Sequence, residues 1–160
     1  MAIYLEFEGI KGTSSAEGFK DQWVIDDLNF SINRHLAMNV GDTGNRETGT
    51  TTFSEVTFTK KLDDSAALLF KEAAGAKGKK VKISMAKTSE AGIVTYMTYE
   101  LEECKISSYH VSLNSADEAP IENIALSYTK FNLSYTKFDS KGKAGSPERA
   151  SYDLKAGKTG

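Results

Sequence analysis

Residue types that carry acid–base or metal chemistry are few in this chain, and none stands at a catalytic spacing. The only histidines are His35 and His110, and Cys104 is the single cysteine. A structural zinc site needs four His or Cys ligands, usually in closely spaced pairs, so these three residues do not predict one. The sequence also contains no HExxH, CxxC or GxSxG pattern. We therefore predict no catalytic residues, no metal and no cofactor.

Two other patterns resemble chemical motifs only in part. Residues 73–80, AAGAKGKK, approach a phosphate-binding loop, but the first glycine and the final Ser or Thr of that motif are missing. The adjacent carboxylates Asp26 and Asp27 point to opposite faces of a strand, so they cannot easily share an acid–base task. Asp63 and Asp64 precede a helical pattern and are better interpreted as helix caps.

Composition and charge predict one globular domain over residues 1–160. The chain has 20 basic and 22 acidic residues, a net charge of -2, so the overall field gives no reason to expect nucleic acid or an anionic membrane as partner. A lone cysteine excludes an intrachain disulfide and fits a reducing compartment. The first residues lack the basic and apolar regions of a signal peptide, and no apolar run is long enough to span a bilayer, so we expect neither.

Apolar and polar residues alternate over most of the chain, which predicts strands. The predicted strands cover 3–7, 22–32, 53–62, 79–87, 93–111 and 121–138. In the second of these strands, Leu28, Phe30 and Ile32 share the predicted buried face. Asn29 and Ser31 share the opposite face and are predicted to meet solvent.

One helix, one long loop and a terminal segment interrupt the β pattern. The helix is predicted at about 64–74, with Gly75 closing it in a left-handed cap. Residues 39–52 are rich in Gly, Thr, Asp and Asn and predict an extended loop, which in a compact domain is usually functional. Residues 139–160 form a Gly-, Ser- and Lys-rich tail that is compatible with partial flexibility, and SYDLK is its one candidate strand.

The hexapeptide LSYTKF occurs twice within residues 126–138, at a period of seven. Ser, Tyr, Thr and Phe favour strands over helices, and an odd period places two copies in a strand on opposite faces. The apolar positions accordingly change from even to odd near Thr129 and Lys130, and they change again within residues 97–106. A bulge or sharp bend produces such a change, and two of them predict a sheet that curls into a two-sheet barrel or sandwich.

Several stretches in their order along the chain resemble the haemolysin-coregulated protein (Hcp) family. The stretches are IYLEFEGIKGTSS, FTKKLDDSAALLFKEAAG, KVKISM, LEECKISSY, IENIALSYTKFNLSYTKFDSKGK and YDL. Together they cover nearly the whole chain, and their specificity comes from the ordered set. Members of this family are tube subunits of bacterial type VI secretion systems.

The resemblance implies a mainly β fold, a two-sheet β-barrel with one short helix beside it. It also implies homohexameric rings that stack into a hollow tube, which a contractile sheath propels out of the cell. The implied partners are other copies of the chain, the sheath, spike and baseplate proteins, and small effector proteins carried in the lumen. Neither nucleic acid nor membrane insertion is implied. The protein is expected in the bacterial cytoplasm before firing and outside the cell afterwards, without a cleaved signal peptide.

Candidate contact residues follow from the predicted strand and loop. Because the matching strand lines the channel in the family, Asn29 and Ser31 are the candidate lumen-facing effector contacts. The predicted loop over 39–52 supplies the candidate ring or stacking contacts, which are Gly41, Asp42, Gly44, Asn45, Arg46 and Glu47.

Three other functions remain open from the sequence. A bacteriophage tail tube protein shares the barrel-and-helix design and the stacking of rings. A monomeric ligand-binding β-barrel fits the aromatic content of 10% and the curved strands. A small hydrolase has only the presence of Ser, Asp and His in its favour.

Overall fold

A computed structural model describes residues 1–37, 40–41, 48–75, 77–90 and 92–160. The described residues form twelve strands and one helix. In chain order these are β1 Ala2–Phe7, β2 Trp23–Ile25, β3 Asp27–Asn29, β4 Ile32–Leu36, β5 Thr48–Phe53, β6 Val56–Lys61, α1 Ala66–Gly75, β7 Lys79–Ser89, β8 Gly92–Ser112, β9 Ile121–Ser127, β10 Lys130–Phe138, β11 Ala144–Asp153 and β12 Lys158–Thr159. The predicted mainly β, two-sheet fold with one short helix is confirmed.

The strands form two sheets that share β8, and a separate hairpin. Sheet A has the order β12-β11-β10-β8-β7-β1-β2, and sheet B has the order β3-β6-β9-β8. All of these pairings are antiparallel. Among the described residues, strands β4 and β5 pair only with each other, and we call this hairpin the arm. The core is built from apolar residues of both sheets, including Leu5, Trp23, Phe58, Leu101 and Leu126, each at most 1% exposed.

Strand β8 passes from sheet A to sheet B at a bulge. Its first half pairs with β10 up to Glu102, and its second half pairs with β9 from Lys105 onward. Glu103, between the two halves, has the left-handed φ of 52°, and the register with β7 shifts at the same point. Leu101 and Cys104 are therefore both buried although they differ in parity. The predicted change of face within 97–106 is confirmed.

The second predicted change of face, near Thr129 and Lys130, lies between β9 and β10. Tyr128 is 9% exposed and Phe131 is 5% exposed, so the buried side moves from even to odd positions. Thr129 belongs to neither strand, and its backbone N–H donates to the Glu102 carbonyl at 3.0 Å. Both changes of face therefore occur at one place, where the chain crosses between the sheets.

The predicted strand over 22–32 is wrong as a single element. The chain breaks it into β2, β3 and the start of the arm, and Ile32 is 54% exposed instead of buried. Its neighbour Ser31 forms two hydrogen bonds with Ser54. The Ser54 N–H donates to the Ser31 carbonyl, and the Ser31 N–H donates to Ser54 Oγ. From that point the backbone leaves sheet B, so Ile32 has no core to face.

The predicted loop over 39–52 is also partly wrong, because its last residues form β5. Thr51 pairs with Arg34 and Thr52 pairs with Asn33, so this segment is the second strand of the arm. Runs of Thr favour strands, and this preference outweighed the turn-like composition in that part. Residues 42–47 lie outside the described residues.

The helix begins and ends close to its predicted bounds. Asp63 Oδ1 accepts the Ser65 backbone N–H at 2.9 Å and also contacts the Ser65 hydroxyl, so Asp63 acts as the predicted cap. Gly75 is the last helical residue, but it is not among the residues with positive φ, so the predicted left-handed cap is wrong. Leu69, at 0% exposure, anchors the helix in the core.

A buried ionic cluster joins the helix start to sheet B. Lys60 Nζ lies 2.5 Å from Glu122 Oε2 and 3.0 Å from Asp63 Oδ1, with Lys60 and Glu122 almost fully buried. The Tyr109 hydroxyl donates to Glu122 Oε1 at 2.6 Å, and Lys60 Nζ lies 5.3 Å from the centre of the Trp23 ring. Charges removed from water are tolerated when each is paired and hydrogen-bonded, which holds for this cluster.

The cluster also changes the protonation behaviour of its members. Burial raises the pKa of Asp63, but hydrogen bonds from Ser65 and Lys60 and the Lys60 charge outweigh it, so this pKa lies below its ordinary value. Burial, together with the hydrogen bond to Glu122, raises the pKa of the Tyr109 hydroxyl well above its ordinary value. The ionised carboxylate at position 63 is thus the form that the fold favours.

Removal of the buried cation should strongly destabilise the protein. Lys60→Met keeps the volume but leaves Glu122 and Asp63 without their cation, which costs about 3–5 kcal/mol when one partner of a buried pair is removed. Lys61→Met is the matched control, because Lys61 is exposed and such changes usually stay within about 0.5 kcal/mol. Urea unfolding measures both, and equal stabilities of the two variants would contradict the cluster's importance.

Acid should weaken the fold through Asp63. Because its pKa is lower in the folded than in the unfolded chain, its contribution is fully present above the unfolded value of about 4. The contribution is lost as the pH falls through the lower, folded value. Urea unfolding of the wild type and of Asp63→Asn between pH 2 and pH 7 should show a weaker acid dependence in the variant. Parallel curves would count against this assignment.

Candidate functional site

The outer face of sheet B carries small, mostly uncharged polar side chains. They alternate along each strand with the core residues, as the β geometry requires. The face is formed by Asp27 and Asn29 on β3, Thr57 and Thr59 on β6, Asn123 and Ala125 on β9, and Ser108 and His110 on β8. All of these residues except His110 line a shallow concavity of about 340 Å³.

Strand register aligns these residues in two rows across the sheet. One row runs Asn29, Thr57, Ala125, Ser108, and the next runs Asp27, Thr59, Asn123, His110. Ala125 is only 8% exposed, so the centre of the first row lies below its polar neighbours. The face can therefore offer hydroxyl and amide hydrogen bonds around a small apolar floor.

The two ends of the second row carry its only ionisable side chains. Asp27 Oδ1 accepts the Thr59 backbone N–H at 3.1 Å. His110 Nε2 lies 3.4 Å from Ser112 Oγ on the same strand. Both residues are exposed, and they stand on the first and last strands of sheet B.

Both outer edges of sheet B lack a strand partner in the part of the chain that the structure describes. Strand β3 pairs only with β6, and residues 105–112 of β8 pair only with β9. Helix α1 packs against β8. Open edges expose backbone N–H and C=O groups, which favours pairing with another chain.

The arm is anchored at its base and carries apolar side chains beyond it. The Phe53 ring lies 4.5 Å from the Tyr152 ring, and the Tyr128 hydroxyl donates to the Ser54 carbonyl at 2.7 Å. Ile32 and Leu36 are 54% and 46% exposed. An isolated two-stranded hairpin is marginally stable in water, so a partner that covers these side chains would stabilise the arm.

The candidate residues from the sequence fall in three places. Asn29 is exposed on the outer face of sheet B, and its contact with a lumen stays a prediction. Ser31 lies at the base of the arm, where its Oγ accepts a hydrogen bond from Asn33 Nδ2 at 3.1 Å, so the two are not brought together on one face. Gly41 is a turn residue with a φ of 94°. The other predicted stacking contacts, Asp42, Gly44, Asn45, Arg46 and Glu47, lie outside the described residues.

The outer face of sheet A differs sharply in charge from that of sheet B. Register places Glu6, Lys82 and Glu100 side by side on three neighbouring strands. One row further, Lys130 Nζ lies 3.8 Å from Glu102 Oε1. Alternating signs on adjacent strands stabilise cross-strand pairs and suit a face in contact with water or with a charged partner.

Catalytic or metal chemistry finds little support among the described residues. No group of three or more His, Cys, Asp or Glu side chains could hold a metal ion there. Cys104 is fully buried, and burial raises its pKa to about 12, so it is a small core residue and a poor nucleophile. Within the described ranges, no helix is long and apolar enough to cross a bilayer.

Sequence reasoning missed most of the sheet B face. Thr57, Thr59, Asn123 and Ser108 each alternate with buried residues, so the signal for an exposed strand face was present. However, which strands are neighbours depends on long-range pairing, and the alternation of buried and exposed residues within each strand does not specify that pairing. The rows could therefore be identified only from the structure.

Comparisons with known proteins agree on one family. A family model described as "Type VI secretion system effector, Hcp" matches residues 4–135. A comparison with curated protein sequences found no match.

Solved structures resemble the fold over nearly its full length. A type six secretion system protein superposes with a TM-score of 0.90 at 20% identity, covering 99% of both chains. Hcp1 from Salmonella typhimurium gives a TM-score of 0.78 at 23% identity, covering 99% of this chain and 97% of its own. A type VI secretion system effector from Yersinia pestis gives 0.69 at 20% identity, covering 94% and 98%. With the family match and this fold together, the chain belongs to the Hcp family of type VI secretion system proteins.

Proposed function

We propose that this protein is the structural subunit of a type VI secretion inner tube. Copies join head to tail into hexameric rings, the rings stack into a hollow tube, and sheath contraction exports the tube with small effectors in its lumen. The observation that carries the proposal is sheet B, whose four antiparallel strands have two open edges among the described residues and a mostly uncharged polar outer face.

The open edges support a closed ring of copies. Because sheet B has an even number of alternating strands, β3 and β8 run antiparallel to each other. Placing β8 of one copy beside β3 of the next therefore continues the antiparallel alternation. The contact is heterologous, since it joins two different edges, and heterologous contacts form a ring when the rotation between successive copies closes. Six copies per ring is the number that the family resemblance implies.

The exposed edge of sheet A is unsuited to the same use. Pro147 lies in the middle of β11 and has no N–H to donate, and Glu148 and Arg149 follow it. Proline and charged residues on an edge strand prevent pairing with other chains. Pairing between copies along β11 is therefore disfavoured.

The arm supports stacking along the tube axis. Its exposed Ile32 and Leu36 gain about 25 cal/mol for each Å² of apolar surface that a neighbouring ring covers. The sequence between the two strands of the arm contains the proposed stacking contacts Gly41, Asp42, Gly44, Asn45, Arg46 and Glu47. Sheath, spike and baseplate proteins would meet the tube from outside, where the charged face of sheet A is available.

No catalytic step is part of the proposed role. A tube needs a defined surface and defined contacts, and the buried Cys104 and the separated histidines suit that role better than catalysis. The protein acts in the cytoplasm until firing and then outside the cell. A monomeric ligand-binding β-barrel is disfavoured because Trp23, Phe58 and Leu126 fill the space between the sheets. A phage tail tube would share this geometry, but the family match favours secretion.

Imaging and mass measurement test the proposal directly. Negative-stain images of the purified protein should show rings with an open centre, and light scattering should give the mass of six chains. Stacks should appear as the concentration rises. A monomer at micromolar concentration would overturn the ring, and with it the proposed function.

Stacking should depend on the apolar side chains of the arm. Leu36→Asp should leave rings intact but shorten or abolish stacks, because a charge replaces an apolar contact. Asn33→Asp on the same strand adds the same charge without removing an apolar group and serves as the control. Tube length from electron micrographs is the readout, and tubes of normal length from Leu36→Asp would contradict this role of the arm.

Effector binding should depend on the outer face of sheet B. Asn29→Arg places a long cation on that face and should reduce effector binding at least tenfold by obstructing it. Asn132→Arg makes the same exchange on the outer face of sheet A and should bind effectors normally. Co-purification of co-expressed effectors with rings of verified size measures both. Full binding by Asn29→Arg rings would argue against the lumen assignment.

A further inference from the structure

We infer that, where sheet B continues from one copy to the next, the Asp27 carboxylate pairs across the junction with the His110 imidazole of the neighbouring copy. The inference rests on the proposed ring and adds a specific, pH-sensitive contact to it. Asp27 and His110 have no role in the chain's own core, and both are exposed.

Strand register brings these two residues to the same level of the sheet. Asp27 pairs with Thr59, Thr59 with Asn123, and Asn123 with His110. The row therefore begins at one open edge and ends at the other. When the next copy is added in register, its Asp27 continues the row directly beside His110.

Distance and side-chain direction favour contact. The members of the row share one face of the sheet, because paired residues in antiparallel strands point to the same side. Directly opposed Cβ atoms on adjacent strands lie about 4.5–5.5 Å apart. An Asp and a His side chain at that separation can form a hydrogen-bonded ion pair.

The chemistry of each partner is compatible with this contact. A carboxylate accepts several hydrogen bonds, so the bond from Thr59 N–H to Oδ1 leaves Oδ2 for a cationic donor. His110 has its Nε2 near Ser112 Oγ, which holds the ring along the strand. Protonated imidazole has two donors, so one can serve the serine and the other the carboxylate.

Several titratable residues lie on β8 itself and on the elements packed beside it. They are Tyr109 and Lys105 on β8, Glu122 on β9, Lys60 and Lys61 on β6, and Lys71 and Glu72 on α1. The Tyr109 hydroxyl donates a hydrogen bond to Glu122 Oε1. The residue that β9 presents beside His110 is Asn123, which is neutral. Within this row, Asp27 of the neighbouring copy is therefore the carboxylate that comes to lie beside His110.

The contact should strengthen association at mildly acidic pH. Free histidine side chains titrate near pH 6.5, and a nearby carboxylate favours the protonated form. The attraction is thus present when the imidazole is protonated and is lost as rising pH removes that proton. Exposed ion pairs change equilibria about two- to fivefold per contact, and salt screens them.

Analytical ultracentrifugation of the full chain between pH 5.5 and pH 8.5 tests the inference. In 50 mM NaCl the ring should associate more tightly at pH 5.5, so it should stay intact to lower protein concentration at pH 5.5 than at pH 8.5. The difference should shrink in 500 mM NaCl. His110→Lys should keep the tighter association at both pH values, whereas His110→Asn should show the weaker association at both.

Charge reversal gives a stricter test. His110→Glu places a carboxylate beside Asp27 and should weaken the ring, and Asp27→Asn should restore most of that loss in the double variant. Asp27→Asn retains an oxygen for the Thr59 hydrogen bond, so it removes only the charge. His35→Asn and Asp26→Asn are controls, because both residues are exposed but lie outside the row.

The outcomes separate this inference from the proposed function. If the rings are equally stable at pH 5.5 and pH 8.5, and His110→Glu does not weaken them, the Asp27–His110 pair is overturned. The proposed tube would then still stand. A protein that forms no ring at any pH or concentration would overturn both. Loss of pH dependence in His110→Asn but not in His35→Asn would support the pair.

Discussion

The crossing of the chain between two sheets at Glu102, Glu103 and Thr129 is the constraint on which the rest of the fold depends. Thr129 donates its backbone N–H and its hydroxyl to the Glu102 carbonyl, and its Oγ1 also lies 3.2 Å from Glu103 Oε2. Lys155 Nζ lies 2.7 Å from the same carboxylate, and Leu154 N–H donates to the Thr129 carbonyl. One point thus fixes β8, the β9–β10 connection and the chain end. This crossing point therefore sets the strand register of both sheets.

Because β8 contributes to both sheets, its bulge decides which side chains face outward on each. Without one additional residue at Glu103, either Leu101 or Cys104 would turn away from the core. A second register shift, between Ile106 and Ser108, changes the alternation again and places Ser108 and His110 on the outer face of sheet B. The electrostatic contrast between the faces follows from this geometry, since Glu100 belongs to the charged outer face of sheet A on the same strand. A single strand can therefore present a charged exterior at one end and a neutral polar surface at the other.

The sequence contained the local part of this information but not the long-range part. Changes of parity near Thr129 and within 97–106 were visible because burial imposes a period of two on each strand. Asp63 was recognisable because a helix start needs an acceptor for its free N–H groups. The burial of Lys60 with Glu122 was not visible, since it depends on pairing β6 with β9 and on the position of the helix. Ile32 was misjudged for a similar reason, because alternation continues in the arm although no core lies beneath it.

The repeated LSYTKF shows how far tertiary context outweighs local sequence. Tyr128, in the first copy, is 9% exposed and donates to the Ser54 carbonyl, so it ties sheet B to the base of the arm. Tyr135, in the second copy, is 39% exposed, although both tyrosines have the same five neighbours within the hexapeptide. The crossing moves the buried side from even to odd positions, so Tyr135 lies on the same side of β10 as the buried Phe131. It is more exposed because it lies four residues further along β10, where burial decreases. The two copies are alike in strand propensity, so their different roles come from their positions relative to the core and not from their composition.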